Sequence, residues 1–167
     1  MILTSHVLKT LAVFAVFCSQ TVCSYTARAA ATLEDCAIIP KPVSVKSAQG
    51  RFRISPSTVI VVPDGSEELF DLGRYFSDMV NDAANYFPEV RTKSQGGGSG
   101  NTITLSIGGA GKNPGDEGYT MTVSNDTIVI TAPKPAGIFY GIQTIRQILL
   151  SSTQDNTEAM TIPAGTI

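Results

Sequence analysis

Two adjacent carboxylates behind a glycine, Asp116 and Glu117 after Gly115, are the residues of this chain that most directly suggest bond-breaking chemistry. Paired acids can divide the labour of glycoside cleavage, one protonating the leaving oxygen and the other stabilising or attacking the sugar carbon. The same two residues open an alternating run, Tyr119-Thr120-Met121-Thr122-Val123, and that context reads them as solvated carboxylates at the lip of a strand. Asp78 and Asp82 stand one helical turn apart and read as solvated surface groups in the same way.

Other chemistries are closed off by what the chain lacks. Its single histidine is His6, and Cys18 and Cys23 also lie in the first thirty residues. That segment has the form of a secretory signal peptide. Lys9 precedes an apolar run, Ser19, Gln20 and Thr21 interrupt the run before it is long enough to span a bilayer, and Ala27-Arg28-Ala29 offers an A-x-A cleavage pattern. Export with removal of residues 1–29 is the expectation. The mature chain, from residue 30 to 167, then keeps Cys36 alone and no histidine. A serine triad, a cysteine–histidine dyad, an internal disulfide and a Cys/His zinc site are all excluded. Cys36 reads as a small half-buried side chain rather than a reactive thiol. Gly108 to Lys112, GGAGK, fails as a phosphate loop. Ser106 stands where its first glycine belongs, Asn113 where Ser or Thr should follow the lysine, and a strand rather than a helix comes next. Catalytic, cofactor-binding and metal-binding residues are therefore all expected to be absent. A net charge of -2 gives no basic footprint for nucleic acid.

The elements that would position any site follow from periodicity. At 43% apolar and 16% charged residues, the 167-residue chain suits one globular domain. Ala37 to Val45, AIIPKPVSV, is an extended lead-in with prolines on both sides of Lys41. Strands are expected at Arg51–Ile54, Thr58–Val62 and Thr102–Ile107, and a hairpin at Tyr119–Val123 and Thr127–Ala132 across the turn Ser124-Asn125-Asp126. Asn125-Asp126-Thr127 is also an N-glycosylation sequon, of consequence in a eukaryotic secretory pathway. A first helix follows Pro63-Asp64-Gly65-Ser66, capped by Asp64 or by Ser66. Its apolar stripe is Leu69, Leu72, Phe76, Val80, Ala83 and Phe87, ending at Pro88. Lys93 to Asn101 is a glycine-rich loop inside the domain, and Ser151 to Glu158 a polar one. A second helix over Ala136–Leu150 puts Ile138, Ile142, Ile145 and Leu149 on one face. Gly137 and Gly141 leave another side of it bare, which suits close backbone packing against a sheet or a neighbouring helix. Met160-Thr161-Ile162-Pro163 is extended. The economical sum is an α+β layer fold, strands largely joined by hairpins and one sheet face buried on two helices.

Three of these segments, in this order, resemble the N-terminal non-catalytic domain of glycoside hydrolase family 20, the β-N-acetylhexosaminidases. They are AIIPKPVSV with GRFRIS after it, DEGYTMTV with SNDTIVITA, and AGIFYGIQTIRQILL, whose Ala-Gly-x-x-Tyr-Gly-x-Gln-Thr pattern is the most specific. The resemblance runs from about Ile38 to Ile167. It implies an antiparallel β-sheet packed on two α-helices, a zincin-like arrangement, and a catalytic (β/α)8 barrel in the same full-length chain beyond residue 167. In that barrel another Asp-Glu pair, preceded by a histidine and two glycines, would act on amino-sugar glycans. Lys112-Asn113-Pro114-Gly115 does not match that pattern, so Asp116 and Glu117 belong to the hairpin motif instead. The expectation is an accessory domain of an exported hexosaminidase, inactive alone, with no nucleic-acid partner, no membrane span and no cofactor. Two alternatives stand beside it: a stand-alone secreted amino-sugar-binding module, and the same accessory role in a family 84 enzyme of the O-GlcNAcase and hyaluronidase-like group.

Overall fold

The computed structural model describes residues 32–96, 100–109, 115–152 and 160–167. The expected signal peptide, and parts of the GGAGK, glycine-rich and Ser151–Glu158 segments, lie outside the described residues. Seven strands form one sheet: β1 (Lys46–Arg53), β2 (Val59–Val62), β3 (Glu89–Thr92), β4 (Thr102–Ile107), β5 (Thr120–Val123), β6 (Thr127–Ala132) and β7 (Thr161–Thr166). Two helices, α1 (Glu67–Ala84) and α2 (Pro135–Ser152), pack against it and against each other.

The strand order is β1-β7-β5-β6-β4-β2-β3. The α+β architecture of one sheet on two helices is as expected, but the sheet is mixed rather than antiparallel. β1–β7, β7–β5 and β5–β6 pair antiparallel, whereas β6–β4, β4–β2 and β2–β3 pair parallel. Part of the difference lies in β3. Glu89-Val90-Arg91-Thr92 is too short and too charged to announce itself as a strand, yet it pairs with β2 over its whole length. With β3 in place, β2–α1–β3 is a helical crossover, and such a crossover joins parallel strands. β6–α2–β7 is a second, with β5 lying between its strands. Hairpins are correspondingly few: among the described residues only β5–β6 connects neighbouring antiparallel strands directly.

Side chains obey the expected periods over most of their length. On β6, Ile128, Ile130 and Ala132 are buried toward the helices and Thr127, Val129 and Thr131 point away. Leu69, Phe76 and Val80 of α1 meet Ile138, Ile142, Ile145 and Leu149 of α2 in one core. The α1 stripe ends sooner than its apolar residues suggest. Asn85 takes a left-handed conformation (φ 58°) and stops the helix three residues before Pro88. Ala83 is exposed in the last turn, and Phe87 lies outside the helix at 64% exposure. The N-cap is Ser66, whose Oγ accepts from the Leu69 amide at 3.4 Å. Asp64 instead accepts from the Ser94 amide at 3.1 Å and from the Ser94 hydroxyl, tying the start of α1 to the short 3-10 turn after β3. Those two bonds hold its carboxyl below the usual carboxylate range.

Candidate functional site

Asp116 and Glu117 occupy an exposed turn after Gly115, which has φ 70°. Among the described residues neither carboxylate has a hydrogen-bond or ion-pair partner, and no group of three His, Cys, Asp or Glu is placed to hold a metal. Asp78 and Asp82 are exposed on α1. Cys36 is half-buried. Burial pushes its thiol up, the nearby Arg51 partly opposes that, and Asp35 adds to it. Asn125 of the sequon is exposed, but its Oδ1 accepts from the Arg51 amide at 3.0 Å, bracing the irregular stretch of β1 around Gly50. A Cβ on Gly50 would collide with this same amide group.

The residues that the sequence makes conspicuous instead meet one another at α2. Gly137 packs on the carbonyl of Gly118, where a Cβ would overlap that oxygen and stand 2.7 Å from the Ala132 Cβ. Gly141, one turn on, receives the Tyr119 ring and Ile130, with a Cβ there 3.4 Å from Tyr119 Cδ2 and 2.6 Å from Ile130 Cγ2. At the next turn Thr144, itself buried, shares a hydrogen bond with the Tyr119 hydroxyl. Burial raises the Tyr119 phenol, and the bond to Thr144 acts in the opposite sense. The bare side of α2 is thus a groove cut to the shape of Gly118-Tyr119. The first segment joins from another direction. Gln147 accepts from the Ile39 amide at 2.8 Å and donates to the Ile39 carbonyl at 2.9 Å, clamping the Ile-Ile-Pro lead-in onto the helix. The sequence reading gave Gln143 and Gln147 no role of their own. Their spacing of four, on a helix otherwise devoted to burial, was the available signal.

The side of α2 away from the sheet carries a different set. Phe139 rests against Tyr75 of α1 at a ring separation of 5.8 Å and against Tyr140 at 5.7 Å, while Gln143 donates to the Tyr75 hydroxyl at 2.9 Å. Near the N-termini of both helices this cluster borders a shallow cleft of about 330 Å³, lined by Glu68, Asp71, Leu72, Pro135, Ala136 and Phe139. No residue there forms a nucleophile–base pair. The arrangement can pack, stack and hydrogen-bond, and nothing in it is built to move a proton.

The family model for glycosyl hydrolase family 20, domain 2, matches residues 35–167. The chain belongs to glycosyl hydrolase family 20. It is similar to a β-N-acetylhexosaminidase of Cellulomonas fimi, at 30% identity over 132 residues, covering 79% of this chain and 25% of that protein. Among solved structures it resembles the family 20 β-N-acetylhexosaminidase of Streptomyces coelicolor A3(2), with a TM-score of 0.67 and 33% identity over 83% of this chain and 27% of the other. It also resembles a Streptomyces plicatus enzyme in complex with Thio-NAglucal, with a TM-score of 0.64 and 33% identity over 78% of this chain and 25% of the other. The family 20 chain therefore spans about a quarter of the length of these relatives. The three motifs on which the sequence resemblance rests are, in this member of the family, the three that converge on α2. No described helix is long and apolar enough to cross a membrane.

Proposed function

We propose that this family 20 chain serves as the N-terminal accessory domain of an exported β-N-acetylhexosaminidase and performs no hydrolysis itself. The observation that carries this reading is the placement of Gly118, Tyr119, Gly137, Gly141 and Thr144. The most specific family motifs are spent on fitting α2 to the sheet. The adjacent acids Asp116 and Glu117 are left exposed in a turn with no base or stabilising donor among the described residues. Removal of terminal N-acetylhexosamines would then belong to the catalytic barrel expected in the rest of the same polypeptide, and amino-sugar glycans would meet the protein there. The match to a family 20 model favours this over the family 84 alternative. The signal-like segment at residues 1–29 supports export.

The purified chain is expected to give no turnover of a chromogenic N-acetyl-β-glucosaminide above a buffer blank. Hydrolysis that persists through further purification and disappears in an Asp116→Asn/Glu117→Gln double variant would sink the proposal. Titration with chitooligosaccharides separates it from the stand-alone module, for which saturable binding by this chain is required.

A further inference from the structure

The residues just before the Ala37–Val45 lead-in take no part in the convergence on α2, yet they are docked in full. Leu33, in the 3-10 turn Leu33–Asp35, is 0% exposed. It lies against Gly165 of β7. A Cβ on that glycine would stand 2.8 Å from Leu33 Cδ2 and collide with the Lys46 carbonyl of β1. Glu34 is bonded to Ser47 of β1 in both directions. Its amide donates to Ser47 Oγ at 3.1 Å, and its Oε1 accepts from the Ser47 amide at 3.2 Å. Asp35 closes the turn, its Oδ2 accepting from the Thr32 amide at 2.8 Å and from the Thr32 hydroxyl at 2.7 Å. The seat for this turn exists only where β1 and β7 pair, at Lys46–Thr166 and Ser47–Gly165. A turn at the start of the domain is thus held by its first strand and its last.

In sequence, only Ala30 and Ala31 separate this turn from Ala29, the last residue of the A-x-A pattern. Two residues span at most about 7 Å. A peptidase acts on chain that is locally open, so a seated turn this close to the cut and a bound peptidase exclude each other. Chain order settles which comes first. A chain exported from its N-terminus presents the cut site long before β7 is delivered, and until β7 pairs with β1 Leu33 has no seat. We infer that Thr32–Asp35 is a latch that closes on β1 and β7 after the signal segment is cut away, and that it then fixes the N-terminus of the mature chain against further trimming. The cut hydrolyses the Ala29–Ala30 bond, water giving its hydroxyl to the Ala29 carboxyl and a proton to the Ala30 amine, and it requires an enzyme of the signal-peptidase class. The latch presupposes export and is independent of any catalytic barrel. Once it is closed, an aminopeptidase can reach Ala30 and Ala31 but has to open the turn to go on. Trimming past Leu33 would empty a fully buried seat between the edge strand β1 and β7, on which β1 pairs.

The test expresses the full gene in a host that exports its product, reads the N-terminus by mass spectrometry, and follows that terminus during digestion of the folded product with a broad-specificity aminopeptidase. The product is expected to begin at Ala30 and to lose no more than Ala30 and Ala31 while folded. Asp35→Ala removes both acceptors of Thr32 from an exposed position and opens no cavity. It is expected to speed trimming through position 33 roughly fivefold or more while the urea transition stays cooperative. Leu33→Ala, which empties the seat itself, should speed it further. Equal trimming rates through position 33 in all three proteins overturn the latch and leave export standing, as does an exported product that begins beyond Leu33. A product that keeps residues 1–29 overturns the export reading and the latch with it.

Discussion

At the scale of single residues, the glycines of α2 decide more than the acids that first draw attention. Alanine at either helical position should gain up to about 1 kcal/mol of helix propensity. At position 137 that gain is overwhelmed, because the atom in the way is the backbone oxygen of Gly118, which cannot rotate aside. Gly137→Ala is expected to lose roughly 1–3 kcal/mol net in urea titrations, the usual cost of overpacking. Gly141→Ala should lose less, since Ile130 and the Tyr119 ring are side chains that can shift. The Tyr119–Thr144 bond makes a sharper prediction. Thr144→Val leaves a part-buried phenol without its partner and should cost about 1–3 kcal/mol, whereas adding Tyr119→Phe should recover part of the loss. Additive losses in that cycle would mean that the two hydroxyls do not stabilise one another. Cys36 has a pH signature. Its folded-state pKa is raised, so its contribution to stability is complete below the ordinary thiol value and is lost as pH rises through the folded value. Alkylation of Cys36 in the folded chain is therefore expected to be slow at neutral pH and to accelerate at a higher pH than in the urea-unfolded chain.

At the scale of elements, the two ends of α1 separate what the sequence reveals from what it hides. A capping residue before Leu69 was legible, but Asp64 and Ser66 both fitted the pattern. Ser66 wins because Asp64 is engaged 30 positions away, by Ser94. Ser66→Ala should therefore destabilise by about 1 kcal/mol. Asp64→Asn should spare the cap and instead speed amide exchange at Ser94. Acid should mimic it. A carboxyl whose folded pKa is lowered contributes stability above its unfolded pKa and loses that contribution as pH falls through the folded value. Exchange at Ser94 that does not respond to Asp64→Asn would remove this bracket from the account. The same contrast explains the rest of the fold. α2, β4, β5 and β6 were legible because apolar period and turn chemistry agree along each of them. β3 was not, because only its pairing with β2 defines it, and pairing is a property of two segments. The parallel pairing of β4 with β2 and with β6 was hidden for the same reason, although each of those strands was legible alone. At α2 the bare glycine side was legible as a packing surface, while its counterpart, Gly118-Tyr119, needed the tertiary fold to bring residues some twenty positions apart into register.

At the scale of the whole molecule, the last strand holds the first one in place. β7 lies between β1 and β5, so removing it would leave β1 without a neighbour and expose the flank of the hairpin. Residues Thr161 to Gly165 are all buried, with Ile162 at 0% exposure, paired with Phe52, which is equally inaccessible. Truncating one buried isoleucine to alanine typically costs about 2–5 kcal/mol, and a domain of this size has only about 5–15 kcal/mol in total. Losing the whole strand also leaves unpaired backbone groups along β5 and β1, including the Met121 amide and carbonyl that now bond Ile167 at 2.9 Å. A chain ending at Met160 is therefore expected to show no cooperative urea transition, even though α1, α2 and the β5–β6 hairpin are all present in it. Ile162→Ala should still fold, with its midpoint lowered in proportion to a loss of a few kcal/mol. A cooperative transition in the truncated chain would mean that the parallel half of the sheet and its two helices are stable without the edge built by β1 and β7. That outcome would place the domain's core between β6 and β3 rather than across the full sheet.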